Sequence, residues 1–100
     1  MGCPIVDVDK VMIMTIQELR DRAAADMARW PQYKGHFDGY QLCTVKKGIK
    51  TKLGKAFVQE ETTIFDPNYI CPDMPDCRVV YSFSNKCDTM VHCRNIQEVK

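Results

Sequence analysis

The residues best equipped for chemistry are six cysteines, two histidines and two opposed blocks of charge. Cys71-x5-Cys77 followed by Cys87-x5-Cys93, with His92 beside the last, suggests a four-thiolate metal site. Structural zinc, however, takes paired ligands two to four residues apart. The run 78–94 reads as two strands about Asn85-Lys86, with Val79, Tyr81 and Phe83 alternating on one side. On its second strand Cys87, Thr89, Val91 and Cys93 share a face, and Asp88, Met90, His92 and Arg94 take the other. Cys87 and Cys93 then stand roughly 20 Å apart at ~3.3 Å per strand step. Bonds of ~2.3 Å cannot reach one tetrahedral ion from both. A zinc site requires this strand reading to fail. The expectation is no metal and no cofactor, with Cys3, Cys43 and the other four thiols packed as small buried hydrophobes. A Cys71–Cys77 disulfide across Pro72-Asp73-Met74-Pro75-Asp76 is the other alternative. The chain shows no export signal, so a reducing, cytoplasmic setting is expected, where disulfides are rare.

Catalysis finds little support. Adjacent strand residues point to opposite faces, so His92 and Cys93 should not form a thiol–imidazole pair. His36 and Asp38 lie in a glycine-flanked loop with no nucleophile nearby in sequence. Glu60 and Glu61, side by side, read as an exposed edge rather than an acid–base pair. Gly48 and Gly54 are isolated turn glycines without the Gly-Lys-Ser/Thr of a phosphate loop. Met1-Gly2-Cys3 has the outline of an acylation signal, but Val6 stands where Ser or Thr is needed. The chain is expected to be no enzyme and to take no small-molecule substrate.

Charge order carries the functional signal. Residues 41–55 contain Lys46, Lys47, Lys50, Lys52 and Lys55 and no acid, whereas residues 56–77 contain Glu60, Glu61, Asp66, Asp73 and Asp76 and no base. The net charge of +1 conceals both blocks. They could simply be solvated faces that neutralise each other across neighbouring strands. They could also dock on charged partners. Tyr40 and Phe57 flank the lysines and could stack bases, although core positions suit both better. Five lysines without arginine also argue against base-edge reading.

The elements that must position these groups follow from pattern. One hundred residues, 45% hydrophobic and 27% charged, form one globular domain at most. No apolar run approaches a membrane span, so no membrane role is expected. Thr15-Ile16-Gln17-Glu18 has the form of a capping box, with Met14 and Leu19 as its hydrophobic staple. Ile16, Leu19, Ala23, Met27 and Trp30 continue at helical spacing, and Pro31 stops the run. A helix over 16–30 is predicted, with residues 1–13 as an N-terminal arm or edge strand and 14–100 as the domain. Short strand patterns follow from Tyr40 onward, separated by turn signals at Gly48, Gly54 and Asp66-Pro67-Asn68. The predicted class is α+β: one amphipathic helix, then a small curled antiparallel sheet or SH3-like barrel of about five short strands.

The ending Val79-Val80-Tyr81-Ser82-Phe83-Ser84-Asn85-Lys86 through Asn95-Ile96-Gln97-Glu98-Val99 resembles the closing hairpin and last strand of SH3-like barrels. That resemblance covers about twenty residues in texture only, and it implies a fold without implying a function. The expected function is a small interaction protein of accessory, inhibitory or assembly type, a class that viruses and mobile elements also encode. It would dock on a protein partner, or on copies of itself, through Lys46, Lys47, Lys50, Lys52, Lys55, Glu60, Glu61 and Asp66. The alternative is sequence-tolerant nucleic-acid binding by the Lys46–Lys55 hairpin.

Overall fold

The computed structural model describes residues 8–99, with side chains from residue 15 onward. Cys3, the Met1-Gly2-Cys3 motif, the first seven residues of the expected arm and the Met14 side chain lie outside the described residues. Helix α1 spans Val8–Asp26. It therefore begins about two turns before Thr15, and the capping box does not start it. Residues 8–13, expected as arm or edge strand, are helical. The chain from Val8 to Met14 contains no Pro or Gly, so nothing prevents an established helix from extending back one residue at a time, without a new nucleation cost. At the other end α1 stops earlier than expected and tapers through tighter bonds, Ala28 N–H to the Ala25 carbonyl (3.3 Å) and Trp30 N–H to the Met27 carbonyl (3.0 Å). Trp30 is already extended (φ −112°, ψ 102°), as a residue before proline must be. Trp30, which continues the apolar spacing of the predicted helix, is 39% exposed.

Seven strands follow: β1 (Gln41–Val45), β2 (Ile49–Thr51), β3 (Gly54–Phe57), β4 (Glu61–Asp66), β5 (Cys77–Ser82), β6 (Cys87–His92) and β7 (Ile96–Glu98). Five of them form an antiparallel sheet in the order β6-β5-β4-β1-β7, while β2 and β3 pair with each other. The result is the expected α+β domain with a small curled sheet, here a half-barrel whose edges are β6 and β7. The hairpin read about Asn85-Lys86 is β5–β6, in register from Cys77↔His92 to Ser82↔Cys87.

Both faces of this sheet are covered. On one, the β2–β3 hairpin lays Ala56 and Phe57 against Cys43, Val45, Phe65, Val80 and Val91. On the other, Ala23 and Met27 of α1, with Phe37 and Tyr40 from the loop after it, meet Ile64 and Tyr81. Burial on both faces explains why Thr63-Ile64-Phe65 and Val80-Tyr81-Ser82 are continuously buried rather than alternating. The ladder between β4 and β5 holds only Phe65↔Val80 and Asp66↔Val79. Beyond it two hydroxyls take over: Thr63 Oγ1 donates to the Tyr81 carbonyl (2.7 Å) and Ser82 Oγ to the Ala56 carbonyl (2.8 Å). The second bond ties the hairpin to the sheet.

The cysteine expectation is corrected in part. Among the described residues only Cys43 is buried; Cys71, Cys77 and Cys87 are half-buried and Cys93 is exposed, all as free thiols. Cys87 opens β6 where the sheet ends, and Cys93 has left the strand for a single turn of 3-10 helix, so strand parity no longer turns it inward. The Cys71–Cys77 pairing is not formed.

Candidate interaction site

The lysine hairpin is shaped by a bulge and by its turn. The register shift between Ile49 and Lys50 leaves Ala56 as an extra residue, so that both Ala56 and Phe57 are buried while Lys55 is exposed. Lys50 stands opposite Lys55 in register and is exposed, as are Lys46, Lys47 and Lys52. Gly54 adopts φ 113°, a conformation that a side chain would strain. Thr51 Oγ1 closes the turn, donating to the Gly54 carbonyl and accepting from Leu53 N–H, both at 3.2 Å. Leu53 is thereby held at the tip, 71% exposed. The Lys50–Lys55 pair places like charges directly opposite, which weakens a strand pair. None of the five lysines forms an ion pair among the described residues, where His36–Asp88 is the sole ion-pair contact.

One further cation joins this end. Asn85 Nδ2 donates to Thr51 Oγ1 (3.2 Å), bringing the β5–β6 turn and exposed Lys86 beside the hairpin tip. The turn itself is legible in the sequence; its approach to a hairpin thirty-four residues earlier is tertiary.

The acidic block divides. Glu61 pairs with Val45, the residue preceding Lys46, and its carboxylate bends back over the turn to accept Val58 N–H (3.1 Å). Glu60 is exposed at the turn, in a left-handed conformation (φ 63°). Asp66 lies at the far end of β4, five strand steps or about 17 Å away. Its carboxylate accepts Asn68 N–H at 3.0 Å, the turn expected at Asp66-Pro67-Asn68. Beyond it, Asp73 and Asp76 are exposed on a loop that also exposes Tyr69 (50%), Ile70 (54%) and Met74 (44%). Of the acidic candidates, then, Glu60 and Glu61 share the lysine end and Asp66 does not.

A second polar cluster has no precedent in the sequence reading. Tyr40 is buried, yet its hydroxyl donates to Asp88 Oδ1 (3.1 Å) and lies 3.2 Å from His36 Nε2, which is itself 3.1 Å from Asp88 Oδ2. These three side chains, with Asp66, Tyr69 and Val79, line an open pocket of about 250 Å³. Burial, then Asp88, then Asp66 hold the Tyr40 phenol well above its ordinary range, so it serves as a fixed hydrogen-bond donor rather than an acid. Tyr81 is held up likewise by burial and by its bond to Asp26 Oδ2 (2.9 Å). The cluster fastens the loop after α1 onto β6, and Arg20 Nε of α1 reinforces it by donating to the Tyr40 carbonyl (2.9 Å). Its only sequence signal is His36 near Tyr40; Asp88 lies fifty-two residues from His36.

Cys43 faces the dry side of the sheet, and burial, with Glu98 secondary, pushes its thiol up to about 12. Among the described residues, no group of three or more His, Cys, Asp or Glu is placed to hold a metal ion. His92 Nδ1 accepts Arg94 N–H (3.2 Å), a local turn bond that leaves Cys93 apart from it. No described helix is long and apolar enough to cross a membrane. No protein-family model, curated protein or solved structure matches the chain.

Proposed function

We propose that this chain is a small non-enzymatic interaction protein, of accessory, inhibitory or assembly type, whose lysine hairpin docks on an acidic protein surface in a cytoplasmic setting. The observation that carries this reading is the hairpin itself. Five exposed lysines without an ion pair among the described residues lie on or just before a hairpin whose apolar tip is Leu53. Charges left uncompensated within the fold, two of them opposed across a strand pair, cost stability that a partner's carboxylates would recover on docking. An exposed leucine amid them adds the apolar contact typical of the centre of a protein interface.

Nucleic-acid binding is the second reading, favoured by Lys86 at the tip and by the distance of Asp66, Asp73 and Asp76 from the lysines. Against it, Tyr40 and Phe57 are 2% and 0% exposed, so neither can stack a base. Replacing Lys47, Lys50 and Lys52 together by Glu separates the two. Pull-downs with the unmodified protein should capture a protein that resists nuclease treatment and is lost with the triple variant. Capture that nuclease removes, together with a gel shift that weakens steeply with salt, would transfer the hairpin to nucleic acid. Capture that the triple variant leaves intact would take the function away from the hairpin altogether.

A further inference from the structure

The basic hairpin and the acidic loop are complementary, yet no ion pair joins them within one copy among the described residues. The hairpin is fixed at the end of β5 and its following turn, by Ser82 Oγ to the Ala56 carbonyl and by Asn85 Nδ2 to Thr51 Oγ1. The loop carrying Asp73 and Asp76 begins at the Asp66 end, about 17 Å along the strand. The hairpin tip and the loop pair opposite charges with exposed apolar side chains, although Arg78 Nη1 donates to the Pro75 carbonyl of the loop (2.8 Å) and Glu60 lies at the hairpin's end of the sheet. Lys50, Lys52 and Lys55 surround Leu53, while Asp73 and Asp76 border Tyr69, Ile70 and Met74. No base lies between residues 56 and 77, and no acid between 41 and 55.

We infer that the protein associates with a second copy of itself, the hairpin tip of one docking on the 67–76 loop of the other. This rests on the protein-docking reading above and names the partner. Opposite charges steer the two surfaces together and set their register, and burial of Leu53 against Ile70 and Met74 supplies an apolar centre. Because each copy carries both surfaces, the contact closes as a reciprocal dimer or continues head to tail, according to the rotation relating the copies.

The test is mass by sedimentation equilibrium of the full chain, with reductant present so that exposed Cys93 cannot cross-link copies. Self-association is expected at low salt and should weaken at least tenfold on going from roughly 20 mM to roughly 500 mM salt. Two variants change exposed side chains only: Lys50→Glu with Lys52→Glu, and Asp73→Lys with Asp76→Lys. Each should be monomeric alone, because like charges now face each other. Mixed one to one, they should form a heterodimer, since the first retains the acidic loop and the second the hairpin. That rescue also shows that both variants remain folded. A monomer at low salt and high concentration overturns self-docking, as does a mixture that stays monomeric while the unmodified protein associates. Neither result bears on the nuclease-resistant pull-down, which tests the hairpin against other proteins separately.

Discussion

The two faces of the sheet are built on different principles. The face under the β2–β3 hairpin is dry: Cys43, Val45, Ala56, Phe57 and Val80 are each fully buried, and the buried hydroxyls of Thr63 and Ser82 are each spent on a backbone carbonyl. The face under α1 is aromatic and wired. Phe37 packs edge-on against Tyr40 and Tyr81 at 5.0 and 5.1 Å, and both tyrosine hydroxyls end on carboxylates, Asp88 and Asp26. Dry packing holds a short hairpin by apolar area and tolerates uncompensated lysines on its outer side. The wired face has to fix a helix and the fourteen-residue connection that follows it, which offer few ladder bonds, so directional hydrogen bonds do that work.

This contrast can be broken experimentally, beginning with the dry face. Phe57→Ala should cost about 3–5 kcal/mol in urea unfolding, because it opens a cavity beneath a hairpin of only two strands; a loss below about 1 kcal/mol would show that the hairpin contributes little to the core. On the wired face Asp88→Ala removes the partner of both Tyr40 and His36 and should cost about 1–3 kcal/mol, against about 1 kcal/mol for Tyr81→Phe, which deletes a single bond. Equal effects of the two would mean that the cluster does not act as a unit.

The third test uses Cys43. Its thiol is neutral in the folded protein up to about pH 12 but ionises near 9.0 once unfolded. The folded state therefore holds the proton more tightly, so this contribution is complete below pH 9 and is lost as pH rises from there towards 12. Between those limits the unmodified protein should lose about 1.4 kcal/mol per pH unit more than Cys43→Ala does. Tyr40 and Tyr81 act in the same direction in both proteins and cancel. Parallel stability curves would show that water reaches the dry face. Among the five described thiols, iodoacetamide at neutral pH should correspondingly modify Cys93 first and Cys43 last, as read by mass spectrometry.

The smallest effect has the opposite sign. Lys50→Glu places an opposite charge across from Lys55 and should stabilise the fold by roughly 0.2–1 kcal/mol in urea unfolding while weakening docking. A variant that gains stability and loses partner capture would separate the surface's function from the fold's needs.

The sequence determined a good part of this molecule by itself. Pro31 marked where the chain leaves the helical region, because the residue before proline is extended, although α1 itself ends at Asp26, and Asn85-Lys86 marked the β5–β6 hairpin because its flanking residues alternate. The +5 and −5 blocks needed only counting. These are local or additive properties, written in neighbouring residues. The start of α1 was less legible, since Thr15-Glu18 has the form of a cap and nothing in the sequence reveals that the helix continues through it. Tertiary structure alone decided what lies far apart in the chain. It brought Asp88 to His36 and Tyr40 and carried Lys86 to the lysine tip. It split Asp66 from Glu60 and Glu61 although they share a strand, because a strand six residues long puts its two ends on different parts of the surface. It also exposed Cys93, left Cys87 half-buried and buried Cys43, because burial depends on what covers a face, and that is settled only when the sheet curls and acquires its hairpin and helix.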